Sequence, residues 1–449
     1  MDTWITRSRK FAVTLAVAGL LLAPSGARAG CYFDWDGSDA VFDNQFGHML
    51  ELTESVAVSP DGNYVYATSR NDDAVTVFSR NTTTGDLTFV QAKQDGVSGV
   101  DGLNGASGIT ISSDGAYVYV AGRVDDAVAI FSRNSSTGQL TYISNVKDGV
   151  GGVDGLNGAV SIALDPGEDC AYVAGTDDNA VAVFNRNTST GALTYVEAEK
   201  DEMGAPVVHG LNGASAVISS SDGNQVYASS STDDSVVVLA RESPASNCRI
   251  MYSADFKDGT GGVDGLNGAI SLTLSPDQAH LYVAGQVDDK VARFSRNSST
   301  GALTFGGVTS GIDGATGIAI ASDNVRVFVT SRSDNSVRLY RRDTSTGVLT
   351  IDETKTDGSG TVDGLGGAHG IALTSGHIYV TGDTDDAVAW FQEFDDNGDT
   401  CNDSNACTSG EVCDGAGNCG SGTCLTGQTG CACPGGTCVS DETGCFCQS

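Results

Sequence analysis

Positive charge is scarce in this chain. Its 24 Lys and Arg residues stand against 57 Asp and Glu, for a formal net charge of -33. So acidic a surface repels nucleic acid and anionic membranes, which excludes both as expected partners, and it favours solubility and divalent cations. Histidine is sparse too. His48, His209, His280, His369 and His377 are the whole set, and no pair has zinc-ligand spacing. Beyond the N-terminal segment no apolar run is long enough for a transmembrane helix, so no membrane insertion is expected. No G-x-S-x-G elbow and no phosphate-binding Gly-Lys-Ser/Thr loop is present. Long helical periodicity is missing as well. The 59 glycines and dense turn signals point instead to an all-β chain.

The two ends differ from the middle. Arg7, Arg9 and Lys10 precede the apolar run Phe11 to Ala23, and Ala27-Arg28-Ala29 has the small-x-small cleavage pattern. Residues 1–29 therefore read as a signal peptide, and the protein is expected outside the cell or on its surface. Arg28 stands where a lipid-attachment box needs an aliphatic residue before Cys31. At the other end, ten of the 13 cysteines lie between Cys401 and Cys447. In an exported chain this predicts a small disulfide-rich module over 395–449. Cys31, Cys170 and Cys248 lie upstream and are odd in number.

Between these ends, over residues 30–394, one pattern recurs seven times. Its marker is an acidic pair before an apolar strand, at Asp72, Asp125, Asp177, Asp233, Asp288, Asp334 and Asp385. A period of about 50 residues with only strand signals inside predicts propeller blades. The second unit shows the content. Ile109 to Ile111, Tyr117 to Val120, Ala127 to Phe131 and Leu140 to Ile143 are strands, separated by Ser-Asp-Gly, Asp-Asp and Ser-Thr-Gly turns. The fold expected is a seven-bladed β-propeller of four-stranded antiparallel blades, monomeric because closure leaves no free sheet edge. The seventh unit lacks a fourth strand, and Cys31 to Gly37 is the expected donor.

The turn Ser59-Pro60-Asp61-Gly62, the strand Val65-Tyr66, Asp72-Asp73-Ala74-Val75 and Thr84-Gly85-Asp86-Leu87-Thr88 resemble the repeats of lactonase-type, YVTN-like seven-bladed propellers. That family includes 6-phosphogluconolactonase. The resemblance implies the fold over about residues 50–394, but a fold of this kind hosts unrelated functions. The cysteine tail resembles short modules of bacterial surface proteins.

Departures from the repeat mark the candidate site. The position two before each inner strand reads Glu54, Ser107, Val160, Ser215, Ile270, Thr316 and His369. Loops between second and third strands carry Arg70, Arg123 and Arg332 in units one, two and six. Ring closure gathers these into one arc. Arg supplies paired donors to a carboxylate or a polarised carbonyl, and His or Glu can activate water. Glu54 and His369 are thus candidate catalytic residues, and Arg70, Arg123 and Arg332 candidate ligand-binding ones. Asp395, Asn397 and Asp399 alternate as calcium ligands do; calcium is the candidate cofactor, and none is required. The loop and connector aspartates read chiefly as turn caps. Signal, repeats and tail favour an exported, non-catalytic propeller that binds or adheres to a surface or extracellular ligand. The alternative is a lactonase-like hydrolase of a non-phosphorylated sugar lactone.

Overall fold

The computed structural model describes residues 40–43, 49–204, 206–242 and 248–392, and the backbone of short strands between 397 and 448. Seven four-stranded antiparallel sheets follow one another along the chain. Six are built from consecutive strands, starting with Thr53–Val58, Tyr64–Ser69, Ala74–Arg80 and Leu87–Gln94 in blade one. Blade seven takes Ala368–Leu373, His377–Gly382 and Ala387–Gln392, and its outermost strand is Ala40–Phe42 from the N-terminal side. The innermost strands touch their neighbours around the full ring, including blade one against blade seven. This is the seven-bladed β-propeller expected.

The closing strand is not the one expected. Ala40 pairs with Ala389 and Phe42 with Ala387, whereas Cys31 to Gly37 lie outside the described residues. The reason is in the connector. Asp95, Asp148, Asp258 and Asp357 each accept the backbone N–H of a leucine eight residues on, at 3.1 Å. Asp43 accepts that of Leu50 at 3.0 Å in the same way. Asp43, not Asp36, is therefore the exit of blade seven. The expected signal peptide and the candidate calcium residues Asp395, Asn397 and Asp399 also fall outside the described side chains, as do the tail cysteines. The tail backbone forms a three-stranded sheet and two two-stranded pairs.

No blade has a core of its own. Seven apolar clusters fill the spaces between neighbouring blades. That between seven and one, for example, joins Tyr379 and Trp390 to Val56 and Phe78. Each buried large side chain there contributes about 1.5–3 kcal/mol.

The acidic pair has a structural task in every blade. Its second member has a left-handed backbone, φ 54° at Asp73 and Asp126 and 55° at Asn179, for instance, a conformation Asp and Asn tolerate better than most residues. Its side chain accepts an N–H from the next connector: Asp73 from Gly105, Asp126 from Gly158, Asp386 from Leu52. The first member does likewise within its own blade, as Asp125 does for Gly102 and Asn104. In blade three the pair is Asp178 and Asn179, one residue later than the marker Asp177.

The opposite face carries a second device. Arg133 donates from Nε to Tyr66 Oη of the previous blade at 2.7 Å, and Tyr66 donates to the Gly138 carbonyl at 2.8 Å. Arg80, Arg186, Arg296 and Arg342 repeat this with Tyr379, Tyr119, Tyr227 and Tyr282. Two junctions depart. Between blades three and four, Arg241 pairs with Asp165, Tyr172 Oη has no partner among the described residues, and Cys170 and Cys248 form a disulfide. Between six and seven, Phe328 stands in the tyrosine's place; where the repeat has arginine the sequence has Glu393, which lies outside the described residues.

A polarised channel mouth as candidate functional site

The inner strands carry a β-bulge near their starts. Thr53 pairs with Ser69 and Ser55 with Thr68, which leaves Glu54 as the extra residue. The same shift recurs in all seven blades. A bulge re-aims a side chain. Glu54, Ser107, Val160, Ser215, Ile270, Thr316 and His369 accordingly all line one central cavity of about 490 Å³. They lie inside the strands, as second residues, not ahead of them. The residue just after each second strand makes another ring around the same cavity: Arg70, Arg123, Thr176, Ser231, Gln286, Arg332 and Asp383. Strand direction places both rings on the face of the connectors and the Asp-Asp loops.

All five residues singled out from the sequence meet here. Arg70 Nη1 lies 3.1 Å from Glu54 Oε1. Ser107 donates to Glu54 Oε2 at 2.6 Å, so both carboxylate oxygens are engaged. His369 Nδ1 lies 2.9 Å from the Glu54 backbone carbonyl, across the seam between blades seven and one. A carbonyl only accepts, so Nδ1 carries the proton and Nε2 keeps its lone pair in the neutral ring. The partner of Arg70 is thus a channel carboxylate and not its own loop aspartates. Arg332 Nη2 sits 2.8 Å from Asp383 Oδ2, which is 3% exposed. The pairing of Asp383 was missed in the sequence. Its signal was present: the position that holds Arg, Thr, Ser or Gln in the other six blades is acidic only in blade seven. Arg123 has no ion-pair or side-chain hydrogen-bond partner among the described residues; its backbone N–H is fixed to the Gly105 carbonyl at 3.0 Å.

The mouth is therefore two-sided. Blades six, seven, one and two supply three guanidiniums, two carboxylates and an imidazole. Blades three to five supply only Val160, Ala216, Ile270 and neutral polar groups among the described residues. Outside it, four blade junctions bring three carboxylates together within 4.8 Å, as at Asp95, Asp101 and Asp125. Burial first, then backbone hydrogen bonding opposed by neighbouring carboxylates, sets Asp95, Asp148 and Asp357 above the usual carboxylate range. Lys147, Lys200 and Lys290 reach into three of these groups.

Comparison with known proteins gives one matching family, described as lactonase, 7-bladed beta-propeller, over residues 51–97, 93–209, 158–254 and 246–363. A 6-phosphogluconolactonase of Bacillus subtilis (strain 168) is 26% identical over 141 residues, 31% of this chain and 39% of that protein. The match thus spans about two-fifths of that relative's length. The periplasmic gluconolactonase structure of Pseudomonas aeruginosa superimposes with a TM-score of 0.56 at 19% identity, covering 74% of this chain and 96% of that one. A virginiamycin B lyase of Staphylococcus aureus does so at 0.55 and 14% identity, over 79% and 98%. Likeness at these identities concerns the fold. The expectation of a non-catalytic adhesion or scaffold propeller is corrected by the match to a lactonase family and to a 6-phosphogluconolactonase. The reason it misled is physical: a regular repeat and an expected signal segment describe scaffold and address, not the chemistry of the channel.

Proposed function

Since this chain belongs to the lactonase family of seven-bladed β-propellers, we propose that it hydrolyses a non-phosphorylated sugar lactone at the channel mouth. One observation carries this assignment beyond the family. The seven-fold ring of the channel is broken only on one side, and there His369, Glu54 and Arg70 are tied together by bonds of 2.9 and 3.1 Å.

In this reading His369 Nε2 takes a proton from water as the water oxygen bonds to the lactone carbonyl carbon. The carbonyl oxygen becomes an oxyanion, and Arg70, held by Glu54, faces that charge. The ring C–O bond then breaks, and the His369 proton passes to the departing ring oxygen. The product is an open-chain hydroxy acid. Glu54 acts as a positioning residue on both sides, through its carboxylate to Arg70 and its carbonyl to His369. An exported location, as the N-terminal segment suggests, sets the substrate apart from phosphorylated cytosolic sugars. The Cys170–Cys248 disulfide supports an oxidising compartment.

The test is acid release from a panel of unphosphorylated lactones by the purified full chain. Replacing His369 by Ala is expected to lower kcat by about 100-fold or more with an unchanged melting temperature. Turnover that survives His369→Ala at full rate overturns the assignment of the base.

A further inference from the structure

We infer that the mouth selects a lactone bearing a single carboxylate, which Arg123 receives as a bidentate partner. The inference rests on the hydrolase reading for its chemistry, but its geometry is independent. Three guanidiniums line the mouth against two carboxylates. Arg70 is spent on Glu54 and Arg332 on Asp383. Arg123 alone is left without a partner among the described residues, within a chain of net charge -33.

The local acids do not neutralise it. Asp125, two residues on in the same loop, is committed to the amides of Gly102 and Asn104 and to Lys147 Nζ at 3.2 Å. A planar guanidinium with free donors fits one carboxylate edge to edge. Charge number decides between anions. A carboxylate cancels the one uncompensated positive charge. A phosphate monoester carries a charge near -2 at neutral pH, leaves a net negative mouth, and meets the repulsion of the surrounding aspartates. The cavity, at about 490 Å³, holds a six-carbon lactone with its carboxylate. Arg123 and His369 belong to blades two and seven, on either side of blade one with Arg70. A ligand anchored at Arg123 therefore reaches back across Arg70 toward the imidazole. Opening the ring creates a second carboxylate in the same acidic setting, which favours release of the product.

The experiment uses the purified full chain with three probes: D-glucaro-1,4-lactone, which carries a carboxylate, neutral D-glucono-1,5-lactone, and the 6-phosphate of the latter. The expected kcat/KM for the carboxylated lactone is at least ten times that for either other probe. Arg123→Met is expected to reduce the carboxylated-to-neutral ratio at least ten-fold, and Arg123→Lys to restore part of it. Binding of D-gluconate by calorimetry gives a readout free of turnover; it should weaken at least ten-fold in Arg123→Met and weaken with salt. Lactones opened with a ratio indifferent to Arg123→Met, or with the phosphate ester preferred, overturn the inference and leave the hydrolase standing. Arg123-dependent gluconate binding without turnover of any lactone supports the anion site and sinks the hydrolase. Neither binding nor turnover sinks both.

Discussion

Arg80 of blade one donates from Nε to Tyr379 Oη of blade seven at 2.6 Å, across 299 residues of sequence. This bond closes the ring on the face opposite the channel mouth. Tyr379 passes the interaction on to the Gly85 carbonyl at 2.9 Å, while Arg80 also binds Thr374 and His377. The junction between blades six and seven shows what happens without the latch: where the arginine is gone, the tyrosine has become Phe328, so no hydroxyl is buried unpaired.

Tyr379→Phe is accordingly expected to destabilise the protein by about 1–3 kcal/mol, since Arg80 Nε then loses its acceptor in a buried site. Arg80→Met removes the charge as well, and strands Tyr379 Oη with only the Gly85 carbonyl. Urea unfolding of both variants checks this. Unchanged midpoints would show that the latch follows from closure and adds nothing to it.

His377 gives the latch a pH dependence. Burial first, and the Arg80 charge second, hold its pKa down at about 4 against an ordinary 6.5. The unfolded state therefore binds the proton more readily. The stabilisation is complete above pH 6.5 and drains away as pH falls toward 4, by about 3 kcal/mol at the lower end. His280, likewise lowered by burial first and then by Arg342, adds to it in the same sense. Gln225 fills the equivalent place in blade four, accepting from Arg296 at 2.6 Å without titrating. His377→Gln should thus keep the latch and flatten the stability profile between pH 4 and 6.5 relative to wild type. Parallel profiles for the two proteins would refute the assignment.

The disulfide compensates for the incomplete latch between blades three and four. Tyr172 Oη is buried there without a hydrogen-bond partner among the described residues. Cys170–Cys248 closes a separation of 78 residues, worth about 4.5 kcal/mol on loop-closure entropy. Cys170→Ser with Cys248→Ser should lower the melting temperature by several degrees, and a reductant should do the same to the wild type but not to the double variant. A melt insensitive to both would remove the disulfide from the stability of that junction.

Glycine at the inner ring protects the site geometry. A Cβ at Gly370 would stand 2.6 Å from the Glu54 carbonyl, the acceptor of His369 Nδ1. A Cβ at Gly108 would stand 2.5 Å from the Val160 carbonyl, which serves no such role. Both Gly→Ala variants should lose stability, but Gly370→Ala should lose lactone turnover by roughly 100-fold, since a shift of about 1 Å in a reacting group has that effect. Equal losses of turnover in the two variants would count against His369 as the base.

Periodicity alone carried the fold, because propeller blades are local: each strand pairs with the next in sequence, and the Asp-Asp signature follows from one left-handed residue per blade and the amides it caps. The arc of Glu54, Arg70, Arg123, Arg332 and His369 was legible for the same reason, since a residue that breaks a repeat stands out without knowledge of its contacts. What depended on contacts between distant segments was not. The closing strand moved from Cys31–Gly37 to Ala40–Phe42 because an aspartate-to-leucine amide bond sets the end of a blade, and strand-like composition does not report it. Glu54 turned from a candidate base into a carboxylate held by Arg70 and Ser107, the second from another blade. Asp383 entered only as the partner of Arg332. Whether Arg123 is free could be decided only by packing, since a guanidinium looks the same in sequence whether a carboxylate reaches it or not.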